Sequence, residues 1–396
     1  MKPDRIVFEG GSTLVRGGLV AFVVGLAGLI MGGSANPRQA FFSYLSAYVT
    51  VVSLALGALI FLMIVHAMNA KWPTAIRRIP EGITTVLPLL ALGFVPLAFG
   101  LRSLYPWTAP EAIRDHEMRH LLEHKAPYLN TPSFHVRAFV YFVIWIGVAF
   151  FLRRWSLVAD KEPVPAGVRD PRFRALSALG LPPVAFALTF ASFDWLMSLT
   201  PMWYSTMFGV RWFAGGFLGA LALTVVFTWG AQQAGMLGRV SSSHYYALGR
   251  LLLAFTIFWA YAAFFELFLI WIVDRPMEAS FYAVRIRGAW RPYTIALGIG
   301  HFALPFFMLL PYRIKRRPVL LASVAIWLVV THWLDMQWLV MPVARPEGPM
   351  IHPLDLAALL CIGGASLAFG IFRMRGAPIV PKNDPALEAA YRYESL

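Results

Sequence analysis

Long apolar runs recur along this chain and constrain its fold more than any other feature. A membrane-spanning helix needs about 20 mostly apolar residues, because in lipid the backbone N–H and C=O groups must find partners within their own segment. Ten runs, numbered here as spans 1 to 10, have that length: residues 14–33, 40–68, 82–101, 134–152, 175–199, 204–230, 249–273, 292–312, 318–341 and 353–372. The sequence therefore predicts an all-α integral membrane protein with about ten transmembrane helices.

Composition limits the chemistry that the chain can carry by itself. Of its 396 residues 59% are hydrophobic, and it has a single cysteine, Cys361. One cysteine excludes a disulfide framework, a four-cysteine iron-sulfur cluster and a CxxCH haem attachment. The net charge of +14 is spread between the apolar runs instead of forming one basic patch, so we expect no nucleic-acid partner. No haem, iron or copper is expected on this chain, and an electron carrier must belong to a partner.

The distribution of lysine and arginine predicts the orientation. With alternating sides, 22 of the 34 basic residues fall on the side of the N-terminus. Most of the others lie in two long loops, which the positive-inside rule discounts. Both termini are therefore predicted to be cytoplasmic. The predicted organisation is an N-terminal tail at 1–13, a transmembrane domain at 14–372 and a C-terminal tail at 373–396.

The long outer loop at 102–133 contains a predicted helix. Thr108 and Glu111 have the spacing of a capping box, and Pro110 suits a first helical turn. We predict a helix near 109–125 that lies across the membrane surface.

Three histidines repeat every four residues on one face of that predicted helix. His116, His120 and His124 have a spacing that metals can use. The sequence specifies no carboxylate that would orient these imidazoles and no fourth ligand. We therefore interpret the stripe as a solvated or partner-facing surface and predict no metal site.

A weak internal sequence repeat suggests a duplicated structural unit. Asp194 precedes Pro201 by seven residues at the end of span 5, and Asp335 precedes Pro342 by seven residues at the end of span 9. If spans 2 to 5 and spans 6 to 9 are parallel repeats, the two aspartates occupy equivalent positions.

Ionisable side chains inside spans are expensive and are functional candidates by default. Six such residues are predicted to lie at similar depth, in the outer half or middle of the membrane: Asp194, Arg211, Glu266, His301, His332 and Asp335. One hypothesis is a proton pathway through a polar cavity that opens toward the outer face, with Arg211 biasing its protonation. The alternative is a fixed ion pair, in which Arg211 neutralises Asp194 or Asp335 and holds the bundle together. Sequence alone leaves both open.

Several long motifs carry a family resemblance. FDWLMSLTPMWYSTMFGVRWFAGG at 193–216, LGRLLLAFTIFWAYAAFFELFLIW at 248–271 and THWLDMQWLVMP at 331–342 resemble the F subunit of bacterial alternative complex III, in the NrfD-like family. HKAPYLNTPSFHVR at 124–137 and HFALPFFMLLPYRIKRR at 301–317 are further matches. That complex oxidises quinol and passes electrons to cytochrome c or a similar acceptor.

The resemblance implies a fold, a set of partners and a role. The fold would be two four-helix bundles, spans 2 to 5 and 6 to 9, flanked by spans 1 and 10. The partners would be the related C subunit, at which quinol binds, multihaem cytochrome and iron-sulfur subunits, and a terminal oxidase as a further candidate. This chain would be a non-redox subunit that contributes structure and an outer proton half-channel. One departure is that Phe265 and Glu266 replace a Ser-Gln pair of the family, which makes this site acidic.

Two other classes of function remain open at this point. A self-contained proton-coupled transporter could use a similar repeat with acidic residues near the midplane. A purely structural anchor for peripheral redox subunits is also compatible with the sequence.

Overall fold

The computed structural model describes residues 7–161, 170–273 and 276–395. It confirms an all-α protein with ten helices long and apolar enough to cross a membrane. Spans 1 to 10 are Ser12–Ala35, Pro37–Ala67, Arg78–Phe99, Thr131–Ala159, Pro171–Leu199, Phe208–Gln233, Ser242–Val273, Arg291–Leu309, Pro318–Ala344 and Pro353–Met374. Because the described residues contain an even number of spans, the segments before span 1 and after span 10 lie on one face, which we call the terminal face. The opposite face, with the connection between spans 3 and 4, is the loop face.

Proline interrupts two of the spans. Span 3 is a series of short helices, Arg78–Thr84, Leu87–Gly93 and Val95–Phe99. Span 8 contains a π-helical turn at Gly298–Ala303, directly before Pro305. Proline has no N–H and crowds the preceding turn, so the regular hydrogen-bond ladder is disturbed beside it. The turn in span 8 carries His301, one of the candidate residues.

Spans 2 to 5 and spans 6 to 9 form two four-helix bundles, and spans 2 and 6 lie at the junction between them. Span 2 packs against spans 6 and 9 of the other bundle. At the crossing of spans 2 and 6, a Cβ atom on Gly57 would lie 2.4 Å from the carbonyl oxygen of Gly216. The crossing therefore depends on small residues that let two backbones touch, as is common between helices in lipid.

Spans 1 and 10 pack together along the side of span 2. Their contact again depends on glycine, because a Cβ atom on Gly25 would lie 2.3 Å from the backbone nitrogen of Cys361. Gly18 and Gly364 approach each other in the same way. Spans 1 and 10 therefore lie in the flanking position that was expected for them.

The C-terminal tail is packed across the terminal face over its described part. Asp384 forms an ion pair with Arg77, before span 3. The carbonyl of Ala390 accepts a hydrogen bond from His244 in span 7, and that of Ser395 accepts one from Arg316, before span 9. The tail therefore touches both bundles.

The loop helix begins later than predicted, so the predicted range 109–125 was wrong at its start. The α-helix is His116–Lys125, and Asp115 caps it by accepting hydrogen bonds from the N–H groups of Glu117 and Met118. The hydroxyl of Thr108 donates to the carbonyl of Tyr105 and caps nothing. A local Asp cap outcompetes the capping-box spacing further upstream.

The histidine stripe lies on the exposed side of this loop helix. His116, His120 and His124 are all exposed. Among the described residues, they do not form a group whose ligand atoms converge. Their placement agrees with a solvated or partner-facing surface.

Candidate functional site: a buried charge cluster in the second bundle

Five of the six candidate residues converge within the second bundle. Arg211 comes from span 6, Glu266 from span 7, His301 from span 8, and His332 and Asp335 from span 9. We call these five residues the charge cluster. None is more than 3% exposed. All four helices of the bundle contribute to it.

Arg211 links the two carboxylates of the charge cluster. Its Nη2 lies 3.0 Å from Asp335 Oδ1, and its Nη1 lies 3.6 Å from Glu266 Oε2. The other oxygen of Asp335 accepts a hydrogen bond of 3.0 Å from Trp259 Nε1. Both oxygens of Asp335 are thus held by donors. Oε1 of Glu266 has no hydrogen-bond partner among the described residues.

The two imidazoles each bond a hydroxyl group that already donates elsewhere. Ser53 donates to the carbonyl of Thr50, so it accepts from His332 Nε2 at 2.8 Å. Thr331 donates to the carbonyl of Trp327, so it accepts from His301 Nδ1 at 2.6 Å. We infer from these bonds that each neutral ring carries its proton on the bonded nitrogen.

The other nitrogen of each ring is then a free acceptor. His332 Nδ1 and His301 Nε2 are buried and have no partner among the described residues. A ligand atom from each of His301, His332 and Asp335 lies within 4.8 Å of the other two. This geometry can receive a proton, a water molecule or a metal ion. The adjacent guanidinium of Arg211 disfavours a further multivalent cation and favours the first two.

Trp338 lies between two arginines at the loop-face side of the charge cluster. The guanidinium carbon atoms of Arg211 and Arg285 lie 4.3 and 5.0 Å from its ring centroid. Arg285 also donates to the carbonyls of Trp338 and Leu339. Cation–π contacts of this kind help a buried guanidinium to remain charged.

A short helix, Pro276–Ile286, covers the charge cluster on the loop face, and we call it the roof helix. Its Tyr282 donates a hydrogen bond of 2.9 Å to Glu266 Oε2. Its Phe281 stacks on Trp203, with ring centroids 4.0 Å apart. Aromatic packing of the roof helix thus covers the cluster on the side toward which the cavity was predicted to open, and the proton pathway stays a hypothesis.

Asp194 lies outside the charge cluster, and its assignment to a shared cavity was wrong. Its carboxylate is bound by Nε and Nη2 of Arg137, at 2.8 and 2.9 Å, and by the hydroxyl of Tyr141 at 2.8 Å. Arg137 belongs to span 4, so the pair is internal to the first bundle. Asp335 instead takes its cation from the first helix of its own bundle. The two aspartates thus have partners at different positions within the two units.

Sequence reasoning also missed a buried ionic network at the terminal face. Arg78 pairs with Glu81 at 2.8 Å and with Asp160, while Arg77 pairs with Glu81 at 3.1 Å and with Asp384 at 2.5 Å. Burial lowers the pKa of Arg77, but the carboxylates of Glu81 and Asp384 outweigh it and raise that pKa above its usual value. By sequence pattern alone, these arginines indicate only topology. The spacing of Glu81 from both arginines, three and four residues, was the available clue.

A second missed network lies at the loop face. Asp355, at the start of span 10, accepts hydrogen bonds from Ser43 at 2.5 Å and Arg345 at 2.8 Å. It also accepts one from the backbone N–H of His352, which completes a capping box. This capping box before an apolar run was the sequence signal that could have found it.

Comparison with known proteins adds no family to this picture. No family model and no curated protein matches the chain.

Proposed function

We propose that this chain is a membrane subunit of a quinol-oxidising respiratory complex, in which the charge cluster receives and releases protons and partner subunits carry the haem and iron-sulfur centres. The observation that carries the proposal is that three buried atoms of the cluster, Glu266 Oε1, His301 Nε2 and His332 Nδ1, have no partner among the described residues. Buried polar atoms are nearly always satisfied, so exceptions point to function or to bound water.

The unpartnered atoms are free to accept a proton. A proton added to His301 Nε2, His332 Nδ1 or Glu266 Oε1 breaks no hydrogen bond to a described residue. One water molecule can donate two hydrogen bonds, which is enough to bridge the two free imidazole nitrogens. The positive charge of Arg211 offsets part of the negative charge of the two carboxylates. The cluster therefore exchanges one proton at a time and does not bind several protons together.

The family resemblance supports the assignment to a respiratory complex. The three segments that carry it supply four of the five residues of the charge cluster: Arg211, Glu266, His332 and Asp335. The fourth motif contributes Arg137, the partner of Asp194. The segments that resemble the F subunit thus contribute most of the charge cluster, although Glu266 itself departs from the family pattern.

The proposal places the chain in the bacterial cytoplasmic membrane with the terminal face toward the cytoplasm. Protons would then exchange on the outer side, once the roof helix moves away from Trp203 and Glu266. The proposed role is that of an outer half-channel, because the buried charges of Arg77, Arg78 and Glu81 at the terminal face are engaged in ion pairs.

The test begins with the intact assembly. Affinity purification of the chain from membranes followed by mass spectrometry is expected to recover multihaem and iron-sulfur subunits. Isolation as a homo-oligomer that moves solute into liposomes would overturn the proposal in favour of a transporter.

Asp335→Asn then tests the proton role, because it keeps shape and removes the titratable charge. We expect a complex that assembles but shows altered proton release during quinol oxidation. Asp194→Asn is the matched control, since it changes another buried aspartate paired with an arginine but outside the charge cluster. Full activity with unchanged proton release in Asp335→Asn would indicate that the residue only forms a fixed ion pair. Failure of this variant to assemble would indicate that the chain is a structural anchor.

A further inference from the structure

A large apolar cavity lies apart from the charge cluster, between spans 1, 2, 3, 6, 9 and 10. Its volume is about 640 Å³. Small-molecule sites in proteins occupy roughly 300–1,000 Å³. Its walls include Leu14, Val51, Ile83, Phe227, Val330 and Leu367, one from each of the six spans. The cavity extends from the middle of the bundle to the terminal face, where Phe8 and Ile379 line it.

Two of the polar side chains that line this mainly apolar cavity lack a hydrogen-bond partner among the described residues. Trp333 Nε1 and Ser366 Oγ make no hydrogen bond to any described residue. Each residue is only 8% exposed. The indole N–H is a donor only, and the serine hydroxyl can donate as well. An occupant of the cavity should therefore offer acceptor oxygens to Trp333 Nε1 and Ser366 Oγ.

The charge and depth of the cavity indicate a neutral occupant. Among the described residues that line it there is no lysine or arginine, and its one ionisable side chain is the exposed Glu9 near the terminal face. Trp333 is 15 residues into span 9, which places it roughly 22 Å along that helix. A phosphate head group would be unpaired at this depth and costly to bury. The occupant's polar group must be uncharged and its remainder apolar.

We propose that the cavity binds an isoprenoid quinone, with its ring carbonyls accepting hydrogen bonds from Trp333 and Ser366 and its apolar tail directed toward the terminal face. The choice of a quinone among neutral lipids with acceptor oxygens rests on the proposed function. The deep end of the cavity supports it further, because Thr50 and Leu54 line it and flank Ser53, the hydroxyl that binds His332. A quinone there lies beside the proton-binding imidazoles.

Glycine makes room for this occupant and provides a direct test. A Cβ atom added to Gly363, which lines the cavity, would meet nothing within 4 Å. Gly363→Leu therefore fills part of the cavity without a backbone clash. Gly17→Leu is the matched control, because Gly17 is equally free of neighbours, exposed on span 1 and not part of the cavity wall.

The experiment measures binding of a short-tailed ubiquinone analogue to the full chain in nanodiscs, together with the lipids extracted from purified protein. Loss of one hydrogen bond typically costs about 1 kcal/mol, so Trp333→Phe and Ser366→Ala should each weaken binding about fivefold. Gly363→Leu should lower the bound quinone by at least about tenfold, because the same volume cannot hold both groups.

The outcomes separate this site from the proposed function. Unchanged binding in both Trp333→Phe and Gly363→Leu would overturn the site, and so would an equal loss in Gly17→Leu, which would indicate partition into lipid. Recovery of a different neutral lipid in place of quinone would overturn the identity of the occupant. Co-purification of redox subunits is measured separately, so the respiratory assignment is tested independently of the quinone site.

Discussion

Arg211 shows at the scale of one residue how a buried charge is accommodated in lipid. Its guanidinium is bound by Asp335, approached by Glu266 and stacked on Trp338. Removing one partner of a buried ion pair leaves the other charge uncompensated, which costs more than the pair itself contributes. The sequence could predict that Arg211 would pair, but not with which aspartate. That choice depends on which helices pack together.

We expect Arg211→Leu to lower the free energy of unfolding by about 3–5 kcal/mol, because two carboxylates then share a buried site without a cation. Unfolding of the purified chain in a denaturing detergent titration measures this. Adding Asp335→Asn to Arg211→Leu should recover part of the loss, since only one carboxylate remains. A double variant no more stable than Arg211→Leu would contradict the pairing.

At the scale of the elements, hydropathy predicted all ten spans, but it did not predict what lies between them. The loop helix started at His116 instead of 109, because Asp115 supplies a cap that no apolar pattern marks. The roof helix was not predicted at all. It is short and carries charged residues, so its helical structure depends on packing against Trp203 and Trp338.

The crossing of spans 2 and 6 provides a prediction at the same scale. Gly57→Ala places a methyl group 2.4 Å from the carbonyl oxygen of Gly216, so the helices must move apart. We expect a destabilisation of about 1–3 kcal/mol in the same unfolding assay. Gly147→Ala is the control, because a Cβ atom there meets nothing within 4 Å. It should be neutral or stabilising, as alanine is the better helix former. Equal effects at both positions would refute the close crossing.

At the scale of the whole molecule, the two-bundle arrangement follows from the order of the spans and from the resemblance, and the packing agrees with both. The buried networks around Glu81 and Asp355 could not have been predicted in the same way. Their members are far apart in sequence, as with Arg77 and Asp384 or Ser43 and Asp355. Only the folded chain brings them together, so single-sequence patterns identify the charges without their partners.

Topology can be measured on the intact chain. We expect a cysteine at Ser242 to be labelled from the cytoplasmic side and one at His124 from the opposite side, both in a Cys361→Ala background. Both positions are exposed, whereas Cys361 is buried. A membrane-impermeant maleimide applied to whole cells and to inverted vesicles distinguishes the sides. Labelling of both sites from one side would contradict the three spans, 4, 5 and 6, that separate His124 from Ser242.

The C-terminal tail has a consequence for how the protein is made. A ribosome synthesises this segment after all ten spans of the described chain. Asp384 and the carbonyls of Ala390 and Ser395 then reach partners in both bundles, at Arg77, His244 and Arg316. The bundles therefore enter the membrane before these contacts exist, and Arg77 has Glu81 as its ion-pair partner until residue 384 is synthesised. A chain that stops short of residue 384 lacks the acceptors that His244 and Arg316 bind in the tail.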